Sequence, residues 1–198
     1  MNNRMDISIA GKKVGLDHPP FIIAEMSGNN NRSLEHALEI VDAVAKTGAH
    51  ALKIQTYTPD TMTLDLDVRE FHISDPKSLW TGTSLYKLYG DAYTPWEWHK
   101  PIFDRARELG IIFFSTPFDD TSADFLESLD VPCYKIASFE NTDLPLIRML
   151  PHVNFAEDSV FTFTRFKYNS KNINCRGSRI KSLPGNANEP QTNSFFCL

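Results

Sequence analysis

Four apolar runs stand out in the first three-quarters of the chain: FIIAEMS from Phe21 to Ser27, HALKIQT from His50 to Thr56, IIFFSTP from Ile111 to Pro117 and CYKIAS from Cys133 to Ser138. Each has the length of a β-strand. Between and after them, apolar residues recur at helical spacing. Ser33 can cap a helix whose apolar face runs through Leu34, Ala37, Leu38, Val41, Val44 and Ala45, with Gly48 as its stop. Thr94, Pro95 and Glu97 read as a capping box with proline at the first helical position, ahead of Ile102, Phe103, Ala106 and Leu109 and a stop at Gly110. Thr121 with Asp124 is a weaker start before Phe125, Leu126 and Leu129, and Asn141 or Thr142 can cap a fourth helix through Leu144, Ile147 and Leu150. Strand and helix alternate four times, a pattern that predicts an α/β fold with a parallel sheet.

Two segments depart from this rhythm. The stretch between Tyr57 and Tyr93 is too long for a plain connection, and Trp80, Trp96, Trp98, Tyr57, Tyr86, Tyr89 and Tyr93 crowd in and around it. Such length with so much aromatic surface predicts a packed lid or binding loop. After about Leu150 all periodicity stops. Residues 151–198 hold six Lys and Arg against three Asp and Glu, seven asparagines and scattered phenylalanines, whereas the body before them is strongly acidic. We therefore divide the chain into a domain, 1–150, and a divergent tail, 151–198, expected to be disordered or foreign to the domain.

Within the domain, each predicted strand ends in polar residues. The first supplies Glu25, Ser27 and Asn29; the second Lys53, Gln55 and Tyr57; the third Ser115 and Thr116; the fourth Lys135, Ser138 and Glu140. Ligands of parallel α/β proteins gather at the carboxyl ends of the strands. By the two-residue period, Glu25 and Ser27 share a face, as do Lys53, Gln55 and Tyr57, whereas Ser138 must lie past the regular strand if it and Lys135 serve one site. Two lysines, hydroxyls and carboxylates converging there suit an anionic phosphate or carboxylate ligand, with a glutamate left for proton transfer. The competing reading is that Glu25 and Glu140 simply neutralise Lys53 and Lys135. The two readings differ for Lys53: replacing a ligand-binding lysine by Met leaves stability nearly unchanged, whereas breaking a buried pair strands a charge.

Composition narrows the class of partner. The formal net charge of -5 argues against nucleic acid and against a polybasic membrane patch. No apolar run approaches the length of a membrane span, and the polar start MNNRMD lacks the core of a signal peptide, so a cytoplasmic location is expected. Cys133, Cys175 and Cys197 have neither disulfide nor zinc spacing.

The segments FIIAEMSGNNN, GAHALKIQTYTPDTMTLD, GIIFFSTPFD, DVPCYKIASFEN and TDLPLIR resemble the sialic acid synthase family, and SLWTGTSLYKLYGDAYTPWEWHKPIFDRARELG is similar to its pseudaminic acid synthase branch. The resemblance runs from about residue 5 to residue 149. It implies a (β/α)8 TIM-barrel fold, here an incomplete barrel of about four β/α units, in a family whose barrel carries a C-terminal antifreeze-like domain. It also implies a phosphoenolpyruvate-dependent, C–C bond-forming transferase. Such enzymes condense phosphoenolpyruvate with an N-acylated six-carbon amino sugar, giving a nine-carbon sialic-acid-like sugar and phosphate. A divalent metal, Mn or Mg, and a homodimer are expected for the family. By the same resemblance Glu25, Lys53, Gln55 and Glu140 are catalytic, and Thr116, Lys135, Ser138, Tyr57 and Asn29 contact substrate.

Two departures qualify what is expected of this chain. The family usually reads Gly-Asn-His after the first strand, where this chain has Gly28, Asn29 and Asn30. After Met149 the family's fifth strand does not follow, nor do the paired metal-binding histidines and the antifreeze-like domain. No metal ligand is assigned, His152 included. The chain is thus expected to be truncated or frameshifted, inactive alone, with its fourth strand's edge open. The alternatives are an N-acetylneuraminate or legionaminate synthase and, in a different class, a non-catalytic phosphate-ligand-binding remnant or non-functional gene fragment.

Overall fold

The computed structural model describes residues 7–15 and 17–150, together with the backbone of Phe161–Thr162 and Phe195–Cys197. It opens with a hairpin that the apolar pattern does not announce, β1 (Ile7–Ile9) and β2 (Lys12–Val14), paired antiparallel. Ala10 and Gly11 turn it with φ of 46° and 79°, the left-handed pair that a two-residue hairpin needs.

The predicted alternation then follows. Strand β3 (Ile22–Glu25) leads into α1 (Leu34–Thr47), β4 (Ala51–Thr56), a long connection, α4 (Trp96–Glu108), β5 (Ile112–Pro117), α5 (Asp120–Ser128), β6 (Lys135–Ile136) and α6 (Leu144–Met149). The connection is itself folded, with short α2 (Pro59–Met62), a 3-10 turn at Arg69–Phe71 and α3 (Leu85–Ala92). Strands β3, β4 and β5 pair in parallel, and a bridge from Ser115 to Tyr134 brings β6 beside β5. The fold is therefore α/β with parallel strands, each laid beside its predecessor.

The predicted start holds at α1 and shifts at α4, α5 and α6. Ser33 caps α1 by accepting from the His36 amide, and Gly48 ends it at φ 82°. At α4 the cap position is Pro95, and Thr94 makes no cap; its hydroxyl instead accepts the Asn30 amide at 3.4 Å. Helix α5 starts from Asp119 and not Thr121, because the Asp119 carboxylate accepts from both the Ser122 amide and the Thr121 hydroxyl. Helix α6 is capped by Asp143, downstream of Asn141 and Thr142.

Two cores lie on opposite faces of the sheet. Ala24, Leu52, Ile54, Phe113 and Ile136 face the helices, packing on Val41, Ile102, Phe103, Leu126 and Leu146. Phe21, Ile23, Ala51, Phe114 and Cys133 face the other way and are covered by Ile9 and Val14 of the hairpin. The hairpin thus plugs the amino-terminal half of that face, and only the carboxyl-terminal half is left for polar residues.

Two short pieces of the tail, β7 (Phe161–Thr162) and β8 (Phe195–Cys197), pair with β6 and β3 respectively. The edge of β6, expected to be open, thus carries a short parallel partner; an edge strand presents unpaired backbone groups that attract one. The rest of the tail, including His152 and its expected disorder, lies outside the described residues.

Candidate functional site

Cross-strand register gathers the polar strand ends into two rows on the hairpin side of the sheet. Glu25 pairs with Lys53, which pairs in turn with Phe114. One pleat further on, Gln55 pairs with Thr116, and the neighbouring bridge from Ser115 to Tyr134 sets Lys135 beside Thr116. Apolar Phe114 and Cys133 therefore form the floor, and Glu25, Lys53, Gln55, Thr116 and Lys135 stand on one face above it.

The first row is closed by an ion pair between the Glu25 carboxylate and the Lys53 ammonium, with side-chain exposures of only 9% and 4%. Burial pulls the Lys53 pKa below the ordinary lysine value; the Glu25 charge opposes this, and the Lys135 charge adds to it. The other Glu25 oxygen, Oε1, is buried without a partner. Thr116 is fully buried, yet its hydroxyl also has none. Glu140, in the turn after β6, has Oε2 buried in the same condition, and burial raises its pKa, aided by Asp143 and opposed by Lys135. Unsatisfied buried polar atoms cost about 1–3 kcal/mol each. Among the described residues four side-chain oxygens are in that state, and Glu25, Thr116 and Glu140 own three of them; the fourth belongs to the helix cap Asp119. Oxygens left unpaired at neighbouring strand ends are open to a ligand or an ordered water.

The remaining expected residues are differently placed. Tyr57 is buried in an aromatic rim, edge-on to Phe118 and Tyr89 at ring distances of 5.5 and 5.8 Å, and burial pushes its pKa up to about 12. Asn29 is exposed and donates its amide to the Met26 carbonyl. Ser138 is exposed in the turn beyond β6. Ser27, expected on the Glu25 face, has φ 48°, and this left-handed turn ends the alternation at Met26. Asn30 is buried, accepting from the Arg32 amide and donating to Thr94. Ser115 points to the opposite, helix-facing side. Among the described residues, no group of three or more His, Cys, Asp or Glu side chains could hold a metal ion.

The long connection packs onto the same strand ends. Its last helical residue Ala92 lies so close to Gly28 that a Cβ there would meet the Ala92 carbonyl at 3.0 Å, and Ala92 would have to give by a few tenths of an ångström to admit a larger residue. Arg32 pairs with Asp91 at 2.9 Å, and the Trp96 indole donates to the Tyr57 carbonyl at 3.4 Å. Sequence reasoning expected the lid but had no means of seeing these anchors, which join residues distant in the chain. It also missed His99, whose place on the apolar face of α4 was the one available signal.

The NeuB family matches residues 40–155 of the chain. That match covers more than half of it. The chain belongs to the NeuB family. The pseudaminic acid synthase of Campylobacter jejuni subsp. jejuni serotype O:2 is 48% identical over 134 residues, which are 68% of this chain and 38% of that protein. The sialic acid synthetase of Leptospira borgpetersenii, solved in complex with citrate, superposes with TM-score 0.60 at 26% identity, over 74% of this chain and 46% of that one. The spore coat polysaccharide biosynthesis protein SpsE of Bacillus subtilis superposes with TM-score 0.55 at 36% identity, over 74% and 37%. The chain thus spans less than half the length of each of these proteins. None of its described helices is long and apolar enough to cross a membrane.

Proposed function

We propose that this chain is the phosphoenolpyruvate-binding sector of a pseudaminic acid synthase-type enzyme. Residues 1–150 then form the N-terminal part of a (β/α)8 barrel, a reading supported by strands β3 to β6 lying side by side in chain order instead of reversing as in a doubly wound sheet. Residues 151–198 are a tail outside this barrel portion, two short pieces of which pair with its β6 and β3. The observation that carries the proposal is the set of orphaned oxygens of Glu25, Thr116 and Glu140 beside two lysines at adjacent strand ends.

In this reading Lys53 and Lys135 neutralise the phosphate and carboxylate of phosphoenolpyruvate, and Thr116 and Ser138 donate hydroxyl hydrogens to it. Gln55 orients the enol, and Tyr57 and Asn29 border the substrate. The enol carbon attacks the aldehyde carbon of the open-chain N-acylated amino sugar and a C–C bond forms. Glu140, whose pKa burial raises, gives a proton to the aldehyde oxygen. Water then adds to the cationic carbon, losing its proton to Glu25; the new hydroxyl gives its hydrogen to the departing phosphate as the C–O bond breaks, leaving a carbonyl and hydrogen phosphate. The family's divalent metal, Mn or Mg, has no ligand set among the described residues, so no step is routed through it. The setting is a cytoplasmic enzyme, homodimeric when complete. N-acetylneuraminate and legionaminate synthases would use the same strand ends; the 48% identity to a pseudaminic acid synthase favours that branch.

Because the chain covers only 38% of that relative, we expect binding without turnover. Titration calorimetry of the purified chain with phosphoenolpyruvate should show saturable binding, and the chain with phosphoenolpyruvate, N-acetylated amino sugar and manganese should release no phosphate. Absence of saturable binding would overturn the anion site. Phosphate release dependent on both substrates would show that the chain is catalytic by itself.

A further inference from the structure

Behind the ligand face, a chain of buried polar groups ties the same two strand ends together. Thr56 Oγ1 lies 2.8 Å from His99 Nε2 and 2.6 Å from Ser115 Oγ, and His99 Nδ1 lies 3.2 Å from the Pro95 carbonyl. All three side chains are completely buried. The carbonyl can only accept, so Nδ1 carries the hydrogen and Nε2 accepts from the Thr56 hydroxyl, which accepts in turn from Ser115. Every member is satisfied only if His99 is neutral, and burial lowers its pKa to about 4.

The placement of this chain is what gives it a consequence. Thr56 follows Gln55 and Ser115 precedes Thr116, and Gln55 and Thr116 are themselves paired across β4 and β5. His99 sits on the first turns of α4, beside Trp96, whose indole reaches back to the Tyr57 carbonyl. The fully buried ring also packs edge-on against Phe125 at 5.3 Å, a contact that favours this orientation.

We propose that His99 is a positioning residue for the anion site: acting through Thr56 and Ser115, it clamps the carboxyl ends of β4 and β5 so that Gln55 and Thr116 present one fixed surface to the ligand. The inference rests on the phosphoenolpyruvate reading above. A positioned group displaced by a fraction of an ångström loses much of its affinity, because hydrogen bonds weaken steeply with misalignment.

The test is titration of the full chain with phosphoenolpyruvate, and separately with inorganic phosphate, for wild type, His99→Phe, His99→Gln and Thr56→Val, with a melting curve for each. Gln can accept from Thr56 and donate to Pro95, whereas Phe can do neither. For His99→Phe and Thr56→Val, phosphoenolpyruvate affinity should fall about tenfold at temperatures where both are folded, and His99→Gln should recover most of it. Folded Phe and Val variants with wild-type affinity would overturn the proposal, leaving His99 a stability element alone. Should His99→Phe not fold, Ser115→Ala removes the far end of the chain and must still weaken binding. If the wild type itself fails to bind, the anion-site reading falls first; if it binds and the variants bind equally, only this inference falls.

Discussion

The two faces of the sheet at the ends of β4 and β5 carry polar residues at alternating positions, and their fates are opposite. On the helix-facing side Thr56, Ser115 and His99 satisfy one another within 2.6–2.8 Å. On the hairpin side Thr116, equally buried, has no partner, and Glu25 uses one oxygen and leaves the other bare. Burial is the same and chemistry is similar; only satisfaction differs. A buried polar group that is paired contributes to the fold, while one left unpaired at a strand end costs stability that a ligand or an ordered water can return.

The largest effect expected from breaking this contrast is at Lys53. Because Lys53 is paired with Glu25, stability alone no longer separates its two readings: replacing it by Met leaves the Glu25 carboxylate buried with neither oxygen paired and should destabilise the chain by about 3–5 kcal/mol, seen as a lower denaturation midpoint, so the ligand role rests on binding. Adding Glu25→Gln should restore most of that loss while phosphoenolpyruvate binding stays weak. A single Lys53→Met variant as stable as wild type would show that the pair contributes nothing to the fold.

Acidification should strike the other face. His99 has a folded pKa near 4 against an ordinary 6.5, so the unfolded chain binds the proton more readily. Its contribution is complete above pH 6.5 and is lost as pH falls toward about 4, on the order of 3 kcal/mol. Glu140 has the opposite sign: its raised folded pKa contributes stability at low pH that is lost as pH rises through that value. Denaturation midpoints measured across this range should fall on the acid side in wild type, and the fall should flatten in His99→Gln.

Smaller effects separate two threonines that are chemically alike. Thr56→Val strands His99 Nε2 without its donor and should cost about 1–3 kcal/mol in chemical denaturation. Thr116→Val removes a hydroxyl that has no partner, so stability should hold or rise by up to about 1 kcal/mol, while phosphoenolpyruvate affinity falls about tenfold. Equal destabilisation by the two substitutions would erase the distinction between the faces.

Much of this was legible in the chain itself. The four parallel strands lie within the four apolar runs, and α1 begins and ends at its predicted Ser33 and Gly48. Period-2 alternation put Lys53 and Gln55 on one face of their strand, as the register has them, since alternation is a local property of extended backbone. The same rule failed at Ser27, where the backbone turns left-handed, and could not tell which way Ser115 faces until the sheet had two sides. The hairpin of β1 and β2 escaped notice because so short a pair has too few residues to show a period.

What the sequence determined alone, then, is what depends on near neighbours: the element order, the first helix with its cap, the acidic body and the polar character of the strand ends. Tertiary structure decided which of those polar groups find partners. That Lys53 meets Glu25, that Thr94 turns from its own helix to Asn30, and that His99 reaches Thr56 all join residues 28 to 64 positions apart. Such contacts exist only once strands and helices are packed, because a hydrogen bond is set by distances of about 3 Å and angles that no local pattern encodes.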